Sequence, residues 1–167
     1  PMKDRCRPWR GRRSPGCSWS AAPALKRNEV EPPHFLLEIF PGIGSPCIYL
    51  CMLARRDGEA VHLMHQYVPR HQAARVQEAR RARVSMLTLL RRHGVATHSL
   101  ELNISAAGAD LHAATHMAIP VGTPILVTRR VSAGTDGQPI ECFWSLSRPE
   151  KHSYTFRFDD VAPARPG

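Results

Sequence analysis

A short pattern of residues occurs twice in this chain and limits the folds that it can adopt. Gly44-Ser45-Pro46 precedes an apolar run that ends near Asp57-Gly58, after which a second apolar run begins. The same order returns about 78 residues later, from Gly122-Thr123-Pro124 through Asp136-Gly137. An Asp-Gly pair between two apolar runs is typical of a β-hairpin. Two copies of one hairpin predict a pseudo-symmetric antiparallel sheet with flanking helices, and therefore an α+β fold.

The segments around the hairpins have the composition of further helices and strands. Residues 71–82 are rich in Ala, Gln, Glu and Arg and favour a helix. Ser85 can cap a second, short helix that Gly94 ends. The remaining predicted elements are a strand at Leu100, Leu102 and Ile104, a helix over residues 108–118, and a last strand at Tyr154, Phe156 and Phe158.

The first 34 residues differ from the rest of the chain. They are rich in Arg, Pro, Ser, Cys and Trp and lack apolar periodicity, so no helix or strand is predicted there. We expect a disordered or aberrant segment: either a native tail, or the result of a missing or frame-shifted upstream coding region. Residues 38–160 are predicted to form the folded domain, and residues 161–167 a disordered tail.

The net charge is +9, which would ordinarily favour a polyanionic partner such as nucleic acid. Part of the positive charge lies in the first 27 residues, and part lies in the arginines of residues 75–92, on predicted helices. Solvated helix faces therefore explain the charge better than a nucleic-acid surface does.

Cysteine spacing and hydropathy indicate the cellular compartment. The five cysteines form no C-x-x-C pair, which favours reduced thiols over disulfides or a zinc ribbon. No apolar run reaches the length of about eighteen residues that a membrane helix needs, and no apolar region follows the basic N-terminus. We expect a cytoplasmic protein without a membrane partner.

Over residues 38–160, the order of several short motifs resembles the UTRA (UbiC transcription regulator-associated) domain of GntR-superfamily regulators, HutC branch. The motifs are the two repeats above, Tyr67-Val68-Pro69, Ser85 before Gly94-Val95, Ala109-Asp110, Arg130, Pro139-Ile140-Glu141 and Arg148. The resemblance implies a chorismate-lyase-like fold, a small-molecule effector, a homodimer and no cofactor. In such regulators a separate winged helix-turn-helix reads operator DNA, and no such sequence is visible here; whether the regulator represses or activates stays open.

Ser85, Arg130 and Glu141 are the leading candidates for contact with an effector. Ser85 could act purely as a helix cap, but the resemblance places an effector-binding serine at this position. Arg130 lies on an apolar strand, where a buried charge needs a partner, and Glu141 on the returning strand can supply it. An ion pair that only bridges the hairpin and a pair that faces the ligand are both consistent with the sequence.

The chain departs from sugar-phosphate-sensing relatives at several recognition positions. Met52 and Ala54 replace an Arg-x-Arg pair, and Met64 replaces a glutamate. An aromatic residue of the relatives corresponds to Ser147, and a tyrosine corresponds to Leu87. Without the two arginines, bidentate binding of phosphate is not expected. We therefore expect a less anionic, more apolar effector, in a cavity formed by Ser85, Arg130, Glu141 and Ser147 and walled by Met52, Ala54 and Met64.

Two further functions compete with effector sensing. An enzyme of the same fold could act on chorismate, with Arg130 and Glu141 orienting a dicarboxylate, and release of 4-hydroxybenzoate would reveal it. No nucleophile–base motif is visible, so we expect no enzyme. A non-functional remnant that still folds is the other alternative. His112 and His116 have the spacing of metal ligands on a helix, but without an acidic partner motif no metal site is predicted.

Overall fold

The described residues of the computed structural model, 24–72, 78, 92, 94 and 97–156, form one six-stranded antiparallel sheet. The strand order is β1-β2-β3-β6-β5-β4. The elements are β1 (Ala24–Val30), α1 (His34–Ile39), β2 (Cys47–Arg56), β3 (Glu59–Pro69), a 3-10 turn (Arg70–Gln72), β4 (Thr97–Gly108), α2 (Leu111–Met117), β5 (Pro124–Gly134) and β6 (Pro139–Ser147). None of the helices among these residues is long and apolar enough to span a membrane.

The sheet consists of two halves with the same order of elements. Each half runs strand, helix and hairpin, first as β1-α1-β2-β3 and then as β4-α2-β5-β6. The halves meet where β3 pairs with β6, and His65 lies opposite Trp144 there. Each hairpin also has a register shift at the equivalent place, after Ala54 in one and after Ser132 in the other. The predicted α+β fold with a pseudo-symmetric antiparallel sheet is thus confirmed.

The two hairpins close with different turns. Asp57 and Gly58 both have positive φ, 51° and 82°, and they alone connect β2 to β3, as a type I′ turn requires. In the second hairpin the connection is longer, and the backbone N–H of Gly134 donates to the carbonyl of Gln138. Gly137, with φ 72°, supplies the left-handed residue of this turn. Because of the longer loop, residue numbers in β6 exceed those of the equivalent β3 residues by 79 rather than 78.

Within residues 1–34, the structure corrects the prediction for residues 24–34; residues 1–23 lie outside the described residues. Residues 24–30 form β1, and α1 begins at His34. β1 is an edge strand whose residues 25–29 are exposed, so it has no apolar alternation to detect. Its backbone pairing with β2, from Ala24 opposite Met52 to Val30 opposite Cys47, holds it in place.

The last predicted strand is also wrong within the described residues. Tyr154 and Phe156 belong to no strand, although they alternate with polar residues. The helix predicted over residues 108–118 is confirmed as the shorter α2, with the Asp110 carboxylate accepting from the backbone N–H of Ala113 at its N-terminus. Of the helices predicted over residues 71–82 and from Ser85 to Gly94, residues 71 and 72 belong to the 3-10 turn, and apart from residues 78, 92 and 94 the rest lie outside the described residues.

Both α1 and α2 pack on the same side of the sheet, which we call the helix face. Helix α1 covers the cluster Leu36, Phe40, Ile43, Cys47 and Cys142. Helix α2 covers Cys51, Leu53, Leu63, Ala113, Met117 and Ile125. Because successive side chains of a strand point to opposite sides, the neighbouring positions in β2, β3, β5 and β6 lie on the other side. We call that side the polar face, since it carries Gln66, Thr128, Arg130, Glu141, Ser145 and Ser147.

Candidate ligand-binding site

Six of the seven predicted site residues lie on the polar face. Met52 lies opposite Met64, and Ala54 lies opposite His62. Across the centre of the sheet, Met64 faces Ser145 and His62 faces Ser147. Arg130 and Glu141 lie further along this face, on β5 and β6. The seventh residue, Ser85, lies outside the described residues.

A buried carboxylate is at the centre of the strongest polar network on this face. The side chain of Glu141 is 0% exposed and accepts a hydrogen bond from Arg130 Nη2 at 2.5 Å. Its other oxygen, Oε2, accepts from Gln66 Nε2. The Arg130 guanidinium also lies 4.8 Å from the centre of the Phe143 ring. The contact expected between Arg130 and Glu141 is therefore present, and it draws in Gln66, which sequence reasoning missed.

A second polar network surrounds Ser147. Its hydroxyl lies 2.6 Å from His62 Nδ1 and 3.2 Å from the hydroxyl of Ser145. Burial, followed by the nearby charges of His152 and Arg56, lowers the pKa of His62 to about 4. His62 is therefore a neutral imidazole at neutral pH, with one ring nitrogen donating and the other accepting.

The segment after β6 lies against the polar face. The His152 ring meets the His62 ring edge to face at 4.6 Å. Two residues later, the Tyr154 hydroxyl accepts a hydrogen bond from Thr128 Oγ1 at 2.8 Å. Sequence reasoning missed these residues because it assigned residues 154–158 to a strand. The sequence did carry one signal of a polar site here. His62 and Gln66 are polar residues on the same side of the largely buried strand β3.

Several buried polar atoms on this face have no hydrogen-bond partner among the described residues. They are Arg130 Nε, Ser132 Oγ and His152 Nε2, and a fourth such atom, Arg129 Nε, lies on the helix face. Ser132 is 0% exposed and lies directly opposite Glu141. Such atoms are costly to bury, and a polar ligand that bonds to them would remove that cost.

The histidine pair considered from sequence lies elsewhere. His112 and His116 are on α2, with their ring centres 4.5 Å apart. Helix α2 packs on the helix face, so the sheet separates this pair from Glu141 and its partners. The polar face and the histidines of α2 are therefore distinct places in the molecule.

Comparisons with known proteins agree with this architecture. The sequence model of the UTRA domain matches residues 24–153. Over 73 residues, or 44% of this chain, the sequence is 34% identical to the HTH-type transcriptional regulator Rv0792c of Mycobacterium tuberculosis. That match covers 27% of Rv0792c, so the aligned part of this chain corresponds to about a quarter of that relative.

Solved structures share the fold at lower sequence identity. The effector domain of PhnF from Mycobacterium smegmatis matches with a TM-score of 0.69 and 22% identity, over 81% of this chain and 85% of that one. A GntR-family transcriptional regulator from Bacillus cereus matches with a TM-score of 0.70 and 14% identity, over 83% of this chain and 97% of that one. Against the longer PhnF structure, this chain covers 61% of the matched protein.

Proposed function

This chain belongs to the UTRA domain family, and from that premise we propose that it is the effector-binding module of a bacterial GntR-type transcription regulator of the HutC branch. The effector site that we propose is the polar face. The observation that carries this proposal is a set of buried polar atoms without a partner among the described residues: Arg130 Nε and Ser132 Oγ beside Glu141, and His152 Nε2 further along the face, beside His62. A purely structural sheet surface would have no reason to bury them unpaired.

The charges on the polar face indicate the class of effector. The charge of Arg130 is already balanced by the buried carboxylate of Glu141, so Arg130 is not available to neutralise a phosphate. Met52 and Met64 form an apolar row beside the polar network. We propose a small amphipathic metabolite whose hydroxyl or weakly acidic group meets Arg130 and Ser132 while its carbon skeleton lies on the methionines.

We further propose a binding function without turnover. The buried groups of the polar face bond to one another, as Glu141 does to Gln66 and Ser147 does to His62. A hydroxyl beside an imidazole could serve as nucleophile and base, but Ser147 and His62 are both buried, and the lowered pKa of His62, about 4, makes it a weak base. In this proposal, operator DNA is read by a separate winged-helix domain. We expect the chain alone to bind DNA weakly, in a salt-sensitive and sequence-independent way.

A homodimer belongs to the same proposal. β4 is the edge strand of the second half, and its Leu100 and Leu102 are 50% and 37% exposed. An apolar edge of this kind is suited to pairing with a second copy of the chain. Sedimentation equilibrium should therefore give a dimer mass, and a monomer mass that does not change with concentration would contradict the expectation.

The effector proposal is tested by removing one buried hydroxyl. Ser132→Ala deletes an atom that has no partner among the described residues, so stability without ligand should be unchanged or slightly higher. A library of carboxylic acids, hydroxy acids, amino acids and polyols is screened for a rise in melting temperature. The metabolite with the largest effect should bind the variant about 5-fold more weakly, since one hydrogen bond is worth roughly 1 kcal/mol.

Ser105→Ala is the matched control. Ser105 lies opposite Val127 on the helix face and is exposed, so this variant should bind the same metabolite as tightly as the native chain. Equal loss in both variants, no loss in Ser132→Ala, or a library without a single stabilising metabolite would contradict the proposal.

A further inference from the structure

A thiol and two imidazoles lie together on the helix face, away from the proposed effector site. Cys51 on β2, His65 on β3 and His112 on α2 each offer one ligand atom, and these atoms all lie within 4.8 Å of one another. Cys51 and His65 are direct cross-strand partners. The His65 and His112 rings are 5.4 Å apart, because α2 packs over this part of the sheet.

Two of the three groups are held in place by their surroundings. Cys51 is 3% exposed and belongs to the core beneath α2. His65 is bonded through Nδ1 to the Tyr49 hydroxyl at 2.8 Å, which leaves Nε2 as the nitrogen able to bind another group. A hydrogen bond at one ring nitrogen that orients the other is the usual support of a metal-binding histidine.

The third group, the His112 imidazole, can move to complete the tetrahedral coordination of a zinc ion. A tetrahedral zinc ion with sulfur at about 2.3 Å and nitrogen at about 2.1 Å places its ligand atoms roughly 3.5 Å apart. The observed spacing, 4.8 Å or less, exceeds that by at most about 1.3 Å. The His112 side chain is exposed, so a change of rotamer can close this gap without disturbing the core. His116 lies one turn further along α2, beside His112.

The other half of the molecule offers a built-in comparison. The positions equivalent to Cys51 and His65 are Arg129 and Trp144, and Phe35 of α1 packs on Trp144 as His112 packs on His65. There a guanidinium and an indole replace the thiol and the sheet imidazole. Among the described residues the ligand set is thus confined to one half, and His34, one residue before Phe35, is an exposed histidine of the equivalent helix.

We infer that Cys51, His65 and His112 form a binding site for a zinc-class divalent cation, with a fourth coordination position left for water or His116. On binding, the Cys51 thiol releases its proton to solvent, and the sulfur and two imidazole nitrogens each donate a lone pair. No electron is transferred. Such an ion would join β2, β3 and α2 on the side of the sheet opposite the effector site, and would add a second ligand to this module.

Cobalt(II) provides the direct test, because it reports its ligands in its absorption spectrum. Titration of the full chain with Co²⁺ should produce a thiolate-to-metal charge-transfer band and the strong visible bands of a tetrahedral ion, and one equivalent of Zn²⁺ should abolish both. His112→Ala should weaken Co²⁺ binding at least 10-fold, and because His112 is exposed this variant should keep the native fold. Cys51→Ala should remove the charge-transfer band.

His34→Ala is the matched control and should bind Co²⁺ as the native chain does. The inference is overturned if the Co²⁺ complex shows no thiolate band, or if His112→Ala and Cys51→Ala bind the ion as tightly as His34→Ala. Zn²⁺ should also raise the melting temperature of the native chain and of His34→Ala, but not that of His112→Ala. These readouts do not involve the effector, so they are independent of the proposed function.

Discussion

The two halves of the sheet have the same backbone but carry different chemistry. His62 and Glu141 occupy equivalent places, one position before the register shift of each hairpin. In the first half this buried group is an imidazole bonded to Ser147, and in the second half it is a carboxylate paired with Arg130. Met52 occupies in the first half the place of Arg130 in the second. Strand pairing and turn residues preserve the fold, so the side chains on either face are free to diverge.

On the helix face, it is the first half that carries the cluster of potential ligand groups, and the second half has residues that serve the core. Cys51 and His65 in the first half correspond to Arg129 and Trp144 in the second. The Trp144 ring packs edge to face on Phe35 of α1, at 5.1 Å, and so serves the core. The charged network thus belongs to the second half on the polar face, whereas the thiol–imidazole cluster belongs to the first half on the helix face.

The comparison predicts its largest effect at Arg130. Arg130→Ala leaves the Glu141 carboxylate buried with Gln66 as its one remaining partner among the described residues, and it should lower the free energy of unfolding by about 3 kcal/mol. Met52→Ala removes a half-buried apolar side chain at the equivalent place and should cost about 1 kcal/mol. Urea unfolding at pH 7 measures both.

Arg129→Ala controls for the loss of a neighbouring arginine. Arg129 pairs with Glu101, which is 68% exposed, so the change should cost less than about 1 kcal/mol. If Arg130→Ala cost no more than Arg129→Ala, the difference drawn between the two faces would be wrong.

Acid should destabilise the protein mainly through two histidines of the first half, His62 and His65. Burial lowers the pKa of His62 from 6.5 to about 4, and burial together with His112 and His116 does the same for His65. Between pH 6.5 and pH 4 the unfolded chain binds protons that the folded protein does not. The free energy of unfolding is therefore complete above pH 6.5 and falls as the pH falls, by up to about 1.4 kcal/mol per pH unit for each histidine.

His62→Gln should make this pH dependence shallower by the contribution of one proton. Unfolding curves recorded between pH 7.5 and pH 4.5 measure the slope for both proteins. An unchanged slope in the variant would mean that His62 does not resist protonation in the folded state.

The turn glycines should give smaller and nearly equal effects in the two halves. Gly58 and Gly137 have φ of 82° and 72°, and an added Cβ would meet no atom within 4 Å at either position. The cost of Gly58→Ala and Gly137→Ala is therefore backbone strain alone, about 1 kcal/mol each. Thermal unfolding measures both, and a difference of several kcal/mol would show that one turn depends on more than its backbone conformation.

Substitutions at the helix N-caps should have the smallest effect on stability, and only the cap of α2, in the second half, should show one. Asp110→Ala removes the bond to the N–H of Ala113 and should cost about 1 kcal/mol or slightly less. Helix α1 has Pro33 at the equivalent end, with no side-chain hydrogen bond, so Pro33→Ala should change stability less. A larger loss from Pro33→Ala would reverse this part of the comparison.

The repeated hairpins could be predicted from the sequence, whereas the edge strand β1 and several contacts between distant elements could not. Both hairpins followed from their glycines and apolar runs. β1 was missed because its exposed, polar side chains leave only backbone pairing to define it. The contact between Arg130 and Glu141 was predictable because a charge on an apolar strand needs a partner, whereas Gln66 and Cys51 gain their roles from strands and helices that are distant in sequence.

The central claim, that the effector binds on the polar face, is tested most directly by a crystal structure of the chain with the metabolite that stabilises it most. The account predicts that the metabolite contacts Arg130 or Ser132 with its polar group and Met52 or Met64 with its carbon skeleton. A metabolite bound on the helix face, with Ser132 and Arg130 untouched, would contradict the claim while leaving the fold and the family unchanged.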